Sequence, residues 1–178
     1  MRLFGRSKST GTGVVNAELV ADHLAQLLRF PTVAPDRGEE PDEACAAAFE
    51  GLHAKLREVY PLAFAAAEVD RVGDYGLLLR FAGASAEEPG LLMAHQDVVP
   101  TSADWEAEGW PHDPFAGVIE DGRVYGRDTL DDKGALVVMM EALESLLIQG
   151  WEPARDLYVL MGADEEKYGT NALDATEL

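Results

Sequence analysis

The run Pro89-Gly90-Leu91-Leu92-Met93-Ala94-His95-Gln96-Asp97, residues 89–97, decides the fold. Its apolar part, Leu91 to Ala94, is short, unbroken by polar residues and preceded by a Pro-Gly breaker, which predicts a central strand buried on both faces. A second run of the same character, Leu157-Tyr158-Val159-Leu160-Met161, leads into Gly162-Ala163-Asp164-Glu165-Glu166. Between them, Gly134 to Ile148 is apolar nearly all round in its first half and is closed by Gly150, as a helix sandwiched inside a domain would be. Strands of this kind alternating with helices predict an α/β domain. The expected architecture is three layers, helix-sheet-helix, around a mostly parallel sheet.

Outward from that centre, Val118 to Tyr125 reads as a hairpin around the turn pair Asp121-Gly122. Two strands are expected over Ala63–Val69 and Tyr75–Phe81. Leu19, Val20, Leu24, Leu27 and Leu28 repeat with helical spacing after a capping Asn16, and Pro31 forbids continuation. A second amphipathic helix starts near Pro41, carries Ala44, Cys45, Ala48, Phe49, Leu52, Leu56 and Val59 on one face, and ends at Pro61. Residues 1–13 are basic, with Arg2, Arg6 and Lys8 and no acid, and read as a flexible tail ahead of a domain over 14–178.

The 178 residues are the length of one ordinary domain or slightly more, and 47% apolar residues suffice for a sizeable core. Fourteen Lys and Arg against 33 Asp and Glu leave a net charge of −19. Such a surface repels phosphate backbones, so nucleic acid is excluded as an expected partner, and cations are favoured. The single cysteine, Cys45, cannot form an internal disulfide and reads as a core residue. No apolar run is long enough to span a bilayer, and residues 1–13 lack a signal peptide's apolar segment. The cytoplasm is therefore the expected address, with no membrane partner.

Polar residues gather where the buried elements begin and end. His95-Gln96-Asp97 follows one strand, Asp164-Glu165-Glu166 follows another, and Asp128, Asp131, Asp132 and Lys133 precede the central helix. In open α/β sheets, ligands bind beyond the carboxyl ends of strands. Imidazole and several carboxylates without thiolate suit a hard or borderline divalent cation, which also offsets the mutual repulsion of the carboxylates. Each cluster has a bland alternative. A His-x-Asp pair occurs by chance, Asp131-Asp132 suits a helix N-terminus, and Glu165-Glu166 suits a solvated face. Three such clusters at element ends in one chain favour the metal.

The stretch 91–169 resembles the di-zinc aminohydrolases, a family that includes carboxypeptidases, aminoacylases, acetylornithine deacetylase and succinyl-diaminopimelate desuccinylase. The similarity rests on Met93-Ala94-His95-Gln96-Asp97-Val98-Val99-Pro100 and on the loop from Trp110 through Pro114-Phe115-Ala116-Gly117. It continues in Tyr125-Gly126-Arg127-Asp128-Thr129-Leu130-Asp131-Asp132-Lys133-Gly134 and in Gly162-Ala163-Asp164-Glu165-Glu166. It is strongest toward the carboxypeptidase and N-acyl-amino-acid hydrolase branch, and Leu27 to Val33 resembles the family's opening helix and Pro-Thr turn.

The resemblance implies that His95 binds one Zn2+, Asp131 bridges two, and Glu166 binds the second. It makes Glu165 the general base and places Asp97 behind His95, holding its ring; Co2+ or Mn2+ are possible substitutes. It also implies a cis peptide between Asp131 and Asp132. The expected reaction is hydrolysis of a C-terminal peptide bond or of an N-acyl amino acid, with small peptides or N-acyl amino acids as substrates. These roles suit the chemistry: paired cations lower the pKa of a shared water, and an unligated carboxylate beside a ligand can shuttle its proton. Asp128 stands where the family commonly has glycine and is read as a tolerated loop variant, the alternative being a changed backbone or an extra anion near the metals.

By the same resemblance, further ligands and an inserted dimerisation domain lie outside these residues. The chain is therefore expected to be the N-terminal portion of a longer, homodimeric enzyme, binding metal weakly and hydrolysing little alone. A non-catalytic metal-binding or interaction remnant is the alternative, and the retained Glu165 counts against it. A magnesium phosphohydrolase built on Asp128, Asp131 and Asp132 is disfavoured by His95 and by the lack of a phosphate-binding loop. His23 and His53 are expected to be partly exposed. His112 could approach substrate, but a loop-surface role is favoured; Trp105, Trp110 and Phe115 could wall the cleft, with aromatic packing within the loop as the alternative.

Overall fold

The computed structural model describes residues 16–36 and 38–177. The segment read as a basic tail lies outside them. Helix α1 spans Ala17–Leu27, α2 Glu43–Val59, α3 Pro61–Ala66, α4 Lys133–Ile148 and α5 Asn171–Asp174. The strands are β1 Glu68–Val72, β2 Gly76–Phe81, β3 Gly90–His95, β4 Val118–Glu120, β5 Arg123–Tyr125 and β6 Leu157–Gly162.

Local chemistry explains the helix starts. The Asn16 side chain accepts the N–H groups of Glu18 and Leu19, and Asp42 accepts that of Cys45, which satisfies donors that a helix start leaves free. Gly150 adopts φ +72° just beyond α4 and ends it. The turn expected at Asp121-Gly122 has both residues at positive φ, 49° and 73°, the requirement of a tight hairpin.

Residues 63–66 differ from the sequence reading: they form α3 and not the start of a strand. Pro61 occupies the first turn, where its missing N–H costs nothing. Glu144 of α4 accepts the N–H groups of Leu62 and Ala63 at 3.0 and 2.8 Å, capping the short helix from a distant element. A cap supplied across 81 residues leaves no local pattern to read.

The four-stranded sheet runs β1-β2-β6-β3. β1–β2 and β2–β6 are antiparallel and β6–β3 is parallel, so the sheet is mixed and not mostly parallel. Apolar runs announce strands without announcing direction, and the tight turn after Val72 makes β1–β2 a hairpin. β3 is likewise not a central strand among the described residues. It pairs with β6 alone, and Leu91, Leu92 and Met93 are exposed.

Helices α1 to α4 cover one sheet face, joining Leu27, Leu52, Leu56, Leu136, Val137 and Met140 to Leu77, Leu79, Val159 and Met161 in the main core. The other face is thinly covered. Val72, Leu78 and Leu160 pack there with Tyr158 and with Ala172 and Ala175 at and beyond α5. Val138 and Ala135 of α4 are exposed, so that helix is less enclosed than its composition predicts. No described helix is long and apolar enough to cross a membrane.

Candidate metal centre

Parallel pairing of β3 with β6 sets His95 beside Gly162, so both strands finish level and deliver His95-Gln96-Asp97 and Asp164-Glu165-Glu166 to one rim. The third arm is the segment before α4, where the Asp131–Asp132 peptide is cis, as the resemblance implied. Asp132 sits at the α4 N-cap without capping the helix. Its Oδ2 instead accepts the His95 N–H at 3.2 Å, which ties the third arm to the first.

The His95 imidazole is buried and held from both sides. Nδ1 meets the Asp97 carbonyl at 3.1 Å and the Asp97 carboxylate at 3.4 Å. Nε2 faces Asp131 Oδ1 at 3.2 Å and Glu165 Oε2 at 3.7 Å. Burial alone would lower the basicity of this ring, but Asp97 and Asp131 outweigh it and raise the pKa to about 10. The rim thus concentrates negative charge around one nitrogen that points outward.

Asp97 does more than orient the ring. It is fully buried, and its carboxylate accepts the backbone N–H groups of Glu165 at 3.1 Å and Glu166 at 2.9 Å. One side chain therefore holds both the imidazole and the glutamate loop. Burial, with Asp131, Glu165 and Asp97 as like charges, raises the Glu166 carboxyl, while His95 pulls it down. Asp131 lies in the open, with its side chain 84% exposed.

The structure therefore gathers His95, Asp97, Asp131, Glu165 and Glu166 at one rim. Of the two glutamates, Glu165 is the one whose carboxylate reaches the imidazole. Among the described residues, no three His, Cys, Asp or Glu side chains close on a single point as a complete metal site would. The donor set nevertheless fits a divalent cation in chemistry: an imidazole nitrogen oriented through its other nitrogen, an exposed carboxylate at its tip, and carboxylates on an adjoining loop. A cavity of about 190 Å³ adjoins His95, Asp132 and Glu165.

Asp128, read as a tolerated loop variant, lies in the turn segment before α4 with its side chain buried. It adopts φ +77°, a backbone region that favours glycine, and its carboxylate is buried 3.0 Å from the equally buried Lys133 ammonium. The contact is a close, buried ion pair, and among the described residues neither carboxylate oxygen has another polar partner. Burial raises the Asp128 carboxyl to about 6 against the pull of Lys133. Lys133 donates to Phe30 O and Thr32 Oγ1, both at 2.9 Å.

His53, expected near the surface, is buried and meets Gln96 Oε1 at 2.9 Å. His23 is largely buried and pairs with Glu141 at 2.5 Å. His112 meets Glu120 at 3.1 Å and stacks edge-on against Tyr125, away from His95's partners. Arg127 lies over Trp110, and none of Trp105, Trp110 and Phe115 lines the cavity beside His95. Cys45, expected in the core, is only half-buried and joins neither hydrophobic cluster; its thiol contacts Val33 O at 3.4 Å, and burial raises its pKa. Asp164 accepts the N–H groups of Thr170 and Asn171 and shapes the turn into α5. Sequence reading missed Thr32, His53, Gln96 and Lys133 as a connected group; the signals were Gln96 and Lys133 inside two motifs and Thr32 in the Pro-Thr turn.

Residues 91–177 match the model of the Peptidase family M20/M25/M40. The chain is 38% identical over 146 residues to an uncharacterized carboxypeptidase of Schizosaccharomyces pombe, covering 81% of this chain and 24% of that protein. It is 38% identical to the N-fatty-acyl-amino acid synthase/hydrolase PM20D1 of Homo sapiens, covering 84% of this chain and 29% of that protein. With carboxypeptidase S of Saccharomyces cerevisiae it shares 35% identity, over 84% of this chain and 27% of that one. The chain thus spans about a quarter to a third of the length of these relatives. Human carnosine dipeptidase 1 superimposes with a TM-score of 0.70 at 16% identity, over 90% of this chain and 35% of that chain. An M20 family metallo-carboxypeptidase from Sulfolobus solfataricus gives 0.61 at 24% identity, over 83% and 31%. Both structures share the fold.

Proposed function

Residues 91–177 belong to the Peptidase family M20/M25/M40, and from that premise we propose that this chain carries a metal-dependent amidohydrolase rim acting on a C-terminal peptide bond or an N-acyl amino acid. The observation that carries the reading is His95, gripped by Asp97 at one nitrogen and facing Asp131 and Glu165 with the other. The carboxypeptidase and N-fatty-acyl-amino acid hydrolase relatives support the substrate class.

His95 and Asp131 would hold one cation, and Asp131 with Glu166 a second, with Zn2+ as the proposed metal. Bound there, the cations would supply Lewis-acid polarisation of the scissile carbonyl and a more acidic water. Asp97 fixes the imidazole so that Nε2 stays directed outward, and it fixes the glutamate loop at the same time. Glu165 accepts the proton of the attacking water and passes it to the leaving nitrogen as the C–N bond breaks. Asp131, being exposed, is free to turn toward a ligand.

Cobalt titration followed by visible absorption, with hydrolysis of N-acyl amino acids and dipeptides measured in parallel, tests this. His95→Ala should weaken metal binding at least ~10-fold, the scale at which ligand-shell changes act. Glu165→Ala should leave binding nearly intact and abolish any turnover. Metal lost from Glu165→Ala would make Glu165 a ligand; equal binding by the parent chain and His95→Ala would remove the rim as a metal centre.

A further inference from the structure

We propose that Gln96 is the positioning residue of this rim, holding His95 and Asp97 in place through a buried polar brace; the idea rests on reading those two neighbours as metal machinery. Gln96 is fully buried, and each of its polar groups is engaged by a different part of the fold. Its Nε2 donates to Tyr75 O at 2.8 Å, beside the β1–β2 turn, and to Met161 O at 3.1 Å in β6. Its Oε1 accepts from His53 Nε2 of α2 at 2.9 Å, which fixes the proton of that ring on Nε2. Its N–H donates to Gly162 O at 2.8 Å.

The carbonyl of Gln96 is held as firmly. Thr32 Oγ1 donates to it at 2.5 Å. Lys133 Nζ donates to the same hydroxyl at 2.9 Å, so the oxygen is occupied as an acceptor and its hydrogen is turned toward Gln96. Lys133 is in turn anchored by Phe30 O and by the buried Asp128 carboxylate. The Thr32 carbonyl accepts the Val98 N–H at 3.0 Å, closing the brace on the far side of Asp97.

An apolar residue would fill the same space without these bonds and would strand Tyr75 O, Met161 O and His53. The brace therefore fixes one residue's backbone, and the flanking residues are His95 and Asp97. Turning the Gln96 peptide would swing the imidazole on one side. On the other it would move the carboxylate that holds the Glu165 and Glu166 amides.

The test uses the whole chain. Gln96→Met keeps length and removes all three side-chain bonds. Hydrogen exchange should accelerate at the Glu165 and Glu166 amides while Met140 and Leu143 of α4 keep their protection, and cobalt affinity should fall ~10–100-fold, as for other partners behind metal ligands. His53→Gln, which restores a donor to Gln96 Oε1, should retain most of the affinity that His53→Leu loses, and this pair decides the matter if Gln96→Met does not fold. Unchanged exchange at Glu165 and Glu166, or equal loss of protection throughout α4, would overturn the proposal. A parent chain that takes up no cobalt would instead refute the metal reading, leaving the exchange result to decide the brace.

Discussion

The Asp97 carboxylate accepts the backbone N–H of Glu166 at 2.9 Å, across 69 residues of chain. The same group takes the Glu165 N–H and lies against His95, so its removal should be felt beyond one contact. Asp97→Asn should destabilise the chain by about 2–3 kcal/mol, the scale of buried hydrogen bonds to a charged group. Urea denaturation measures it; a loss below about 0.5 kcal/mol, typical of surface substitutions, would contradict the arrangement.

Glu144 caps α3 from α4, engaging the Leu62 and Ala63 amides. Glu144→Ala should cost about 1 kcal/mol, in line with a lost helix cap. Glu144→Gln, which keeps an acceptor oxygen, should cost less. Thermal melts of both variants test the order.

His53 gives a pH signature. Burial holds its folded-state pKa below the ordinary value; the Gln96 bond and Glu50 act upward, and Arg71 and Arg57 downward. Above about 6.5 the ring is neutral in both folded and unfolded chains, so its contribution is constant. As pH falls below 6.5, the unfolded chain takes up the proton first and stability drops toward the lowered folded pKa. Denaturation of the parent chain and His53→Gln between pH 8 and about 5 should show a steeper acid loss in the parent. Parallel curves would count against a buried, neutral His53.

Gly117 adopts φ +59°, and a Cβ there would lie 2.1 Å from Ala25 O. The obstacle is backbone and cannot rotate away. Gly117→Ala should therefore destabilise by at least about 2 kcal/mol, combining overpacking with an unfavourable φ. Gly122→Ala, also at positive φ but with open space around it, should cost less.

Polar clusters where an apolar run stops or a helix starts marked the rim, and the family resemblance singled out His95, Asp131, Glu165 and Glu166 within them. Their support was harder to see. Thr32 and His53 lie in unrelated segments, and only the fold brings them to Gln96. Asp128 looked like an idle substitution because its partner Lys133 was read as one letter of a motif, and burial of both is a tertiary fact. For the fold, strand positions were evident in 77–81, 91–94 and 157–161, whereas strand direction and the exposure of β3 depend on neighbours that a local pattern does not name.

The register that pairs His95 with Gly162 also governs which length changes the chain tolerates. Inserting one residue in β3 or β6 would slide an arm by about 3.3 Å and invert which side chains face the helices. The β4–β5 hairpin lies in the excursion between those strands and can lengthen at its Asp121-Gly122 tip without shifting either rung. Insertions should accumulate in that excursion and be purged from the two strands.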